Sequence, residues 1–233
     1  MFARVLYETR PETPLDLGSA ELATTYAARP GMYRSFGKRA FDLSMLALIA
    51  PIVLPVIIVV TIILMVQGQS PFFSQLRVGR GGQTFKLWKF RTMQPDAESV
   101  LEKILANNPE LRDEWERTQK LKKDPRVTAF GHYLRKTSID ELPQLLNVLL
   151  GQMSFLGPRP MLPEQQYIYG PAFPVYSSLR PGISGPWQVS ERNDAHFQRR
   201  AELDMDYARD LSFKTDLKLV AKTLRTVWYS TGY

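Results

Sequence analysis

The sequence predicts an α+β fold, predominantly helical, belonging to a monotopic membrane protein with a proline-broken re-entrant helix, a small antiparallel sheet and amphipathic interfacial helices. Three observations point there. From Leu43 to Val66 the run LSMLALIAPIVLPVIIVVTIILMV carries no charge, and both of its flanks are basic. The segment FFSQLRVGRGGQTFKLWKF (72–90) alternates apolar and polar residues about a glycine-rich turn, the mark of a hairpin. The tail LSFKTDLKLVAKTLRTVW (211–228) repeats Phe213, Leu217, Val220, Leu224 and Val227 at three- and four-residue steps, the period of a helix with one apolar face.

Taken in chain order, residues 1–33 carry Pro11, Pro14 and Pro30 with little periodicity and read as a loose N-terminal extension. The apolar run has 24 residues, roughly 36 Å as a straight helix against a hydrocarbon core of about 30 Å. It is a membrane segment. A cleavable signal peptide fits less well, because the run starts about forty residues in and no small-residue cleavage site follows it. Pro51 and Pro55 lie inside the run, where each removes a backbone donor and costs on the order of 3 kcal/mol in a regular helix. A bend is therefore expected. Arg34, Lys38 and Arg39 precede the run, and Arg77, Arg80, Lys86, Lys89 and Arg91 follow it. Basic flanks stay cytoplasmic, so a segment that dips in and returns to the same face is favoured over a kinked span.

Between Arg77 and Arg91 there are five cations and no acid. Asp96 to Lys123 reads as two charge-rich helical pieces split near Asn107 to Glu110, a solvated face. The tail helix sets Lys214, Lys218, Lys222 and Arg225 on its other faces and ends in Trp228 and Tyr229. It can lie on an anionic membrane surface or pack its stripe on the core, and the pattern leaves both open.

Thirty Lys and Arg against 23 Asp and Glu give a net charge of +7, which favours anionic partners: phosphate-bearing ligands, acidic lipid or nucleic acid. There is no cysteine, and the two histidines are His132 and His196. Disulfides, thiol nucleophiles and Cys/His zinc sites are thereby excluded. Any metal would be a hard, oxygen-liganded ion such as Mg²⁺.

Chemistry concentrates in RKTSIDELPQLLNVL (135–149), where Asp140 and Glu141 stand side by side before an apolar helix. The bland reading is capping: Pro143 fits the first turn of a helix, which makes Asp140 an N-cap, or else Ser138 and Glu141 form a capping box. The chemical reading starts from the same place. A helix mouth favours phosphate and keeps a nearby carboxylate ionised; beside a divalent cation that carboxylate can attack phosphorus while its neighbour holds metal or takes a proton. Adjacent acids on one turn suit such a division, and the residue chemistry alone leaves the two readings even.

The ordered set KRAFD (38–42), the proline-broken run, FFSQLRVGRGGQTFKLWKFRTM (72–93), DPRVTAFGHYLRKTSIDELPQLLNVLLGQMSFLGPRP (124–160) and RPGISGPWQVSERND (180–194) resembles the bacterial sugar transferase family. These are monotopic polyprenyl-phosphate phosphoglycosyl transferases, and the likeness is strongest to the compact members that initiate exopolysaccharides, over roughly residues 34–229. The resemblance implies transfer of a phosphosugar from a UDP-sugar donor to undecaprenyl phosphate with release of UMP, Mg²⁺ as cofactor, and a place on the cytoplasmic face of a bacterial inner membrane. It puts the catalytic dyad on Asp140 and Glu141, which would also hold the metal, with Asp140 as the nucleophile that carries the phosphosugar covalently. Lys38 and Arg39 would sit at headgroup level and attract the lipid phosphate. Arg159, presented between Pro158 and Pro160, suits a fork of donors to a diphosphate, and Arg91, Arg126 and Arg135 would line the same site. The two histidines read as structural.

The chain departs from the family pattern at Ala50-Pro51 and Leu54-Pro55, where a Ser-Pro pair is usual, and at Glu191, where a glycine is usual. It divides accordingly into an extension (1–33), a membrane re-entrant helix (34–70) and a cytoplasmic catalytic domain (71–233). Its partners would be the donor, the lipid acceptor and membrane lipids, with no nucleic acid; a homodimer is left open. Two other functions compete: a membrane glycosyltransferase that releases UDP without a covalent intermediate, and a non-catalytic membrane-anchored binder of anionic ligands, supported by the +7 charge and the 77–91 stretch.

Overall fold

A computed structural model describes residues 31–118, 121, 123–190 and 197–228; the predicted extension, Glu191 and His196 lie outside these apart from the last residues of the extension. After a short π-helical turn, Tyr33–Gly37, helix α1 spans Lys38–Val66 with Pro51 and Pro55 inside it. The expected helix–break–helix is therefore one unbroken helix of 29 residues. Each proline deletes one i→i−4 bond, at the carbonyls of Ala47 and Pro51, and the bonds on either side carry the helix through.

The packing of α1 shows how it meets the rest of the protein. At its start Lys38 and Asp42 are buried against the last helix and a short strand. Near its end Val60 and Leu64 are buried with Phe90 and Leu134. Between these anchored ends Leu48, Ile52, Leu54 and Ile58 remain 55–73 % exposed. By length and composition this is a helix that can cross a membrane.

Strands β1 (Phe72–Val78) and β2 (Thr84–Phe90) form the expected antiparallel hairpin, from Phe72 opposite Phe90 to Val78 opposite Thr84. Gly81 and Gly82 turn the chain with φ of 72° and 75°, a left-handed conformation that costs glycine little. Alternation along β2 sends Phe85 and Leu87 inward onto Val148 and Met153. The charge-rich pair follows as α2 (Ala97–Asn107) and α3 (Pro109–Thr118), split at Asn108. No residue of α2 is buried, in keeping with a solvated face.

Helices α4 (Ala129–Lys136) and α5 (Gln144–Leu149) come next. A second, parallel sheet pairs β3 (Ser154–Leu156) with β4 (Gly182–Ser184). The sequence did not reveal it, because strands of three residues are too short to show a period. Its backbones nearly touch: a Cβ on Gly182 would stand 2.2 Å from the Gly157 nitrogen. Short helices α6 (Gln166–Tyr169), α7 (Phe173–Ser177) and α8 (Pro186–Ser190) lead to α9 (Phe197–Arg209) and α10 (Phe213–Trp228). Ala201 and Met205 of α9 pack on Tyr169, Tyr176, Met161 and Val78, and Leu219 of α10 packs on Leu156, Leu179 and Tyr207.

The tail helix resolves the choice its pattern left open in an unexpected way. Asp216 and Leu219 form its buried side, whereas Phe213, Leu217 and Leu224 of the predicted stripe are 53–66 % exposed. These three face outward, next to Lys214, Lys218 and Lys222, which are exposed as well, while Val220 of the same stripe packs on the core beside Leu219.

Candidate active site

Helix α4 begins at Thr128, whose hydroxyl accepts from the Gly131 amide at 2.9 Å. Gly131 lies so close to Thr92 that a Cβ there would be 2.0 Å from the Thr92 carbonyl oxygen. The end of the hairpin is thus pressed onto the helix that carries Arg135. After α4, Ser138 takes a left-handed φ of 57° and Ile139–Glu141 form a single 3-10 turn; Pro143 then caps α5. Neither predicted cap forms, since no side-chain capping bond is made at either start. Ser138 is turned away by its backbone, and Asp140 falls inside the 3-10 turn.

Both carboxylates instead meet β2. Lys89 Nζ lies 2.7 Å from Glu141 Oε1 and 3.7 Å from Asp140 Oδ2. Asp140 is 8 % exposed, and burial pushes its carboxyl above the ordinary range, against the pull of Lys89, with Glu141 adding to the rise and Arg135 opposing it. Glu141 keeps more contact with solvent. Arg135 is half-buried and donates from Nε to the Thr92 hydroxyl at 2.9 Å; burial lowers its pKa while the charges of Asp140 and Asp124 hold it up. Asp124 grips Arg126 through Nε at 2.8 Å and Nη2 at 2.6 Å, and the Arg126 guanidinium lies 5.1 Å from the Trp115 ring centroid. Arg135, Asp140 and Glu141 therefore share one site, with the Asp124–Arg126 pair behind Arg135.

The other predicted residues make their described contacts elsewhere. Arg91 Nε donates to the Ser70 carbonyl at 2.9 Å, tying the hairpin to the end of α1. Arg159 is exposed, and its carbonyl accepts from Arg200. Lys38 departs most from expectation. Its ammonium is buried, 2.7 Å from Asp216 and 3.7 Å from Asp42, so it is committed inside the protein rather than offered at headgroup level. Tyr33 and Tyr207 donate to the same Asp216 carboxylate at 2.6 and 2.7 Å, and Ser154 donates to Asp42 at 2.8 Å. Arg39 donates to the carbonyls of Val148 and Leu149 at 2.6 and 2.9 Å, the partly negative end of the helix whose other end follows the dyad.

Lys89 is the neighbour of the dyad that sequence reasoning missed; it registered only as one of five cations. Asn147 was missed too. Buried on α5, it accepts from the Trp88 amide at 3.1 Å and donates to the Lys86 carbonyl at 2.8 Å, which fixes the helix that follows the dyad against the strand that carries Lys89. The 77–91 stretch is accordingly divided among several tasks: Arg77 donates to Pro160 and Gln75, Lys89 meets the dyad, and Arg91 braces a loop. It forms no single basic stripe.

The profile of the bacterial sugar transferase family matches residues 33–230. The chain belongs to this family. Among its relatives, the exopolysaccharide production protein ExoY of Sinorhizobium fredii is 42 % identical over 221 residues, which cover 92 % of this chain and 96 % of that one. The UDP-galactose-lipid carrier transferase of Erwinia amylovora is 41 % identical over 84 % of this chain and 41 % of its own length. The UDP-glucose:undecaprenyl-phosphate glucose-1-phosphate transferase of Escherichia coli is 34 % identical over 80 % of this chain and 39 % of its own. The present sugar transferase thus corresponds to the compact kind and to about two-fifths of the longer relatives.

Proposed function

We propose that the chain is a phosphoglycosyl transferase that moves a sugar 1-phosphate from a UDP-sugar to undecaprenyl phosphate through a covalent intermediate on Asp140, releasing UMP. Family membership and the names of the Erwinia and Escherichia relatives support the donor and acceptor classes. The observation that carries the mechanism is the buried Asp140 beside Glu141, faced by Lys89 and Arg135. A carboxylate drawn above its ordinary pKa by burial is poorly solvated and correspondingly basic, which suits a nucleophile on phosphorus.

In the first step an Asp140 oxygen bonds to the sugar-bearing phosphorus as the bond from that phosphorus to the UMP oxygen breaks, and the electron pair leaves on UMP. In the second an oxygen of the lipid phosphate attacks the same phosphorus; the carboxylate–phosphorus bond breaks and Asp140 returns as a carboxylate. Lys89 and Arg135 offset the charge that builds on the phosphoryl oxygens. Among the described residues no three metal-ligating side chains gather, and two adjacent carboxylates fit an ion whose remaining ligands are diphosphate and water. Asp140 and Glu141 would hold Mg²⁺, which when bound neutralises diphosphate charge.

We place α1 in the cytoplasmic leaflet as a helix that enters the layer without crossing it. Both of its ends pack on the same globular body while its middle is apolar and exposed, so both ends stay on one side of the layer that its middle enters. The outward stripe Phe213, Leu217 and Leu224 of α10 would rest on the same surface. Tags at the two termini found on opposite faces of the membrane would defeat this placement.

The transfer is tested by incubating the detergent-solubilised protein with Mg²⁺, undecaprenyl phosphate and a panel of UDP-sugars. Release of UMP that requires the lipid phosphate is the expected result. Release of UDP would replace it with direct glycosyl transfer.

A further inference from the structure

A second cationic site lies away from the dyad. Arg34, Lys38, Arg80 and Arg180 line one pocket together with the hydroxyl-bearing Ser178 and Tyr207; leucine side chains make up the rest. No carboxylate is among the residues that line it. The charges come from three parts of the chain: Arg34 and Lys38 from the start of the α1 segment, Arg80 from the hairpin turn, and Arg180 from the residues before β4. The fold has therefore brought Arg80 and Arg180, distant in sequence, beside the basic pair that opens α1.

The charges are only partly answered. Lys38 is neutralised by Asp216 and Asp42. Arg34 donates to the Ala208 carbonyl and Arg180 to the Gly151 carbonyl at 2.8 Å, which engages one donor of each without cancelling a charge. Arg80 is exposed on a turn that Gly81 and Gly82 make with positive φ. Burial lowers the pKa of both Arg34 and Arg180, and the nearby Arg80 adds to that lowering. Three guanidiniums held together against their own repulsion leave several N–H donors unspent. Ser178 and Tyr207 spend their hydroxyl protons on the Val175 carbonyl and Asp216, so the donors left for a ligand are the guanidinium forks, whose planar N–H pairs match the oxygens of a phosphate dianion.

We propose that this pocket is a phosphate-binding site separate from the dyad. Arg80 precedes β2 and Lys89 lies near its other end; the five residue steps from Thr84 to Lys89 span about 17 Å at the rise of a strand. The pocket thus lies at the opposite end of the hairpin from the lysine that meets Asp140, and Asp140 is not among its lining residues. Arg34 sits on the turn that leads into the exposed apolar stretch of α1, so the phosphate is either that of a lipid headgroup or one free in solution.

The test uses the full chain with Arg80→Ala, a change at an exposed turn residue that leaves the core intact, beside Arg80→Lys and a control, Lys222→Ala, which removes one exposed charge from α10. One arm titrates inorganic phosphate into protein in neutral detergent at constant ionic strength and reads the rise in melting temperature. The other compares binding to phosphatidylcholine vesicles with and without phosphatidylglycerol. Arg80→Ala is expected to lose at least about tenfold in phosphate affinity, the scale of one charge-assisted hydrogen-bonding group, with Arg80→Lys partly restoring it and Lys222→Ala unchanged. Loss of the phosphatidylglycerol preference in Arg80→Ala supports the site and assigns it to a headgroup. Loss in the phosphate arm alone supports it and assigns it to a soluble anion. Wild-type behaviour of Arg80→Ala in both arms, or an equal loss in Lys222→Ala, overturns the proposal.

Discussion

Two clusters of acids and lysine lie in this molecule, and they are built to opposite ends. In the anchor cluster Asp216 accepts from Tyr33, Lys38 and Tyr207 and is itself fully buried. In the dyad, Asp140 is met by Lys89 only at 3.7 Å, the short contact going to Glu141. The residue types are the same. What differs is satisfaction: a carboxylate surrounded by short donors is spent on holding helices α1, α9 and α10 together, whereas one that is desolvated and loosely partnered keeps its lone pairs for a substrate.

The sharpest way to break the comparison is to neutralise each carboxylate's role in turn. Asp140→Asn is expected to lower turnover by at least roughly 10³-fold, as loss of a nucleophile does, while its melting temperature holds or rises because a buried charge is gone. A calorimetric scan beside the UMP assay checks both; a variant that fails by unfolding would make Asp140 a structural acid.

Lys38→Met should do the reverse. It leaves Asp42 and Asp216 buried without their cation and should cost about 3–5 kcal/mol of stability, read by chemical denaturation in detergent. Activity per folded molecule should survive. Loss of activity at full stability would return Lys38 to the lipid headgroup.

A further buried acid sharpens the rule. Asp204 bonds to Tyr169 at 2.7 Å, and its other oxygen has no hydrogen-bond partner; burial drives its pKa up to about 6, with Arg200 and the Tyr169 bond opposing. The folded protein thus holds this proton over a range in which the unfolded chain has released it. Stability from this group is full below the ordinary aspartate range and declines as pH rises from about 4 to 6, by up to about 3 kcal/mol. Asp204→Asn should flatten that slope in melting temperature against pH.

Smallest in stability is Lys89→Met, which should change folding by no more than about 1 kcal/mol, since the pair is partly exposed. Because Lys89 lowers the Asp140 pKa, its loss should move the acid limb of the activity profile to higher pH. An unmoved limb would separate Lys89 from the dyad.

Much of this contrast was legible in the sequence, but unevenly. The hairpin was plain because period-2 alternation and a glycine turn agree, and Asp140–Glu141 stood out by chemistry and resemblance. Long-range pairing was not legible: Lys38 reads as a membrane flank because its partner Asp216 is 178 residues away. Nor could the pattern show Ser138 turning left-handed, which undid both capping readings. Pro51 and Pro55 overstated the break, since each removes a single bond from a long apolar helix. Lys89 and Asn147 stayed hidden because a strand and a helix must first be brought together before either has a role.

The central claim is that Asp140 carries the phosphosugar. The direct measurement incubates the protein with Mg²⁺ and a UDP-sugar labelled at the sugar-bearing phosphate, with no lipid acceptor, and locates the label by mass spectrometry after rapid quenching. The account predicts label on Asp140 with an equal release of UMP, none in Asp140→Asn, and discharge when undecaprenyl phosphate is added. A protein that stays unlabelled yet turns over as soon as the lipid is supplied would contradict it, leaving direct transfer between the two substrates.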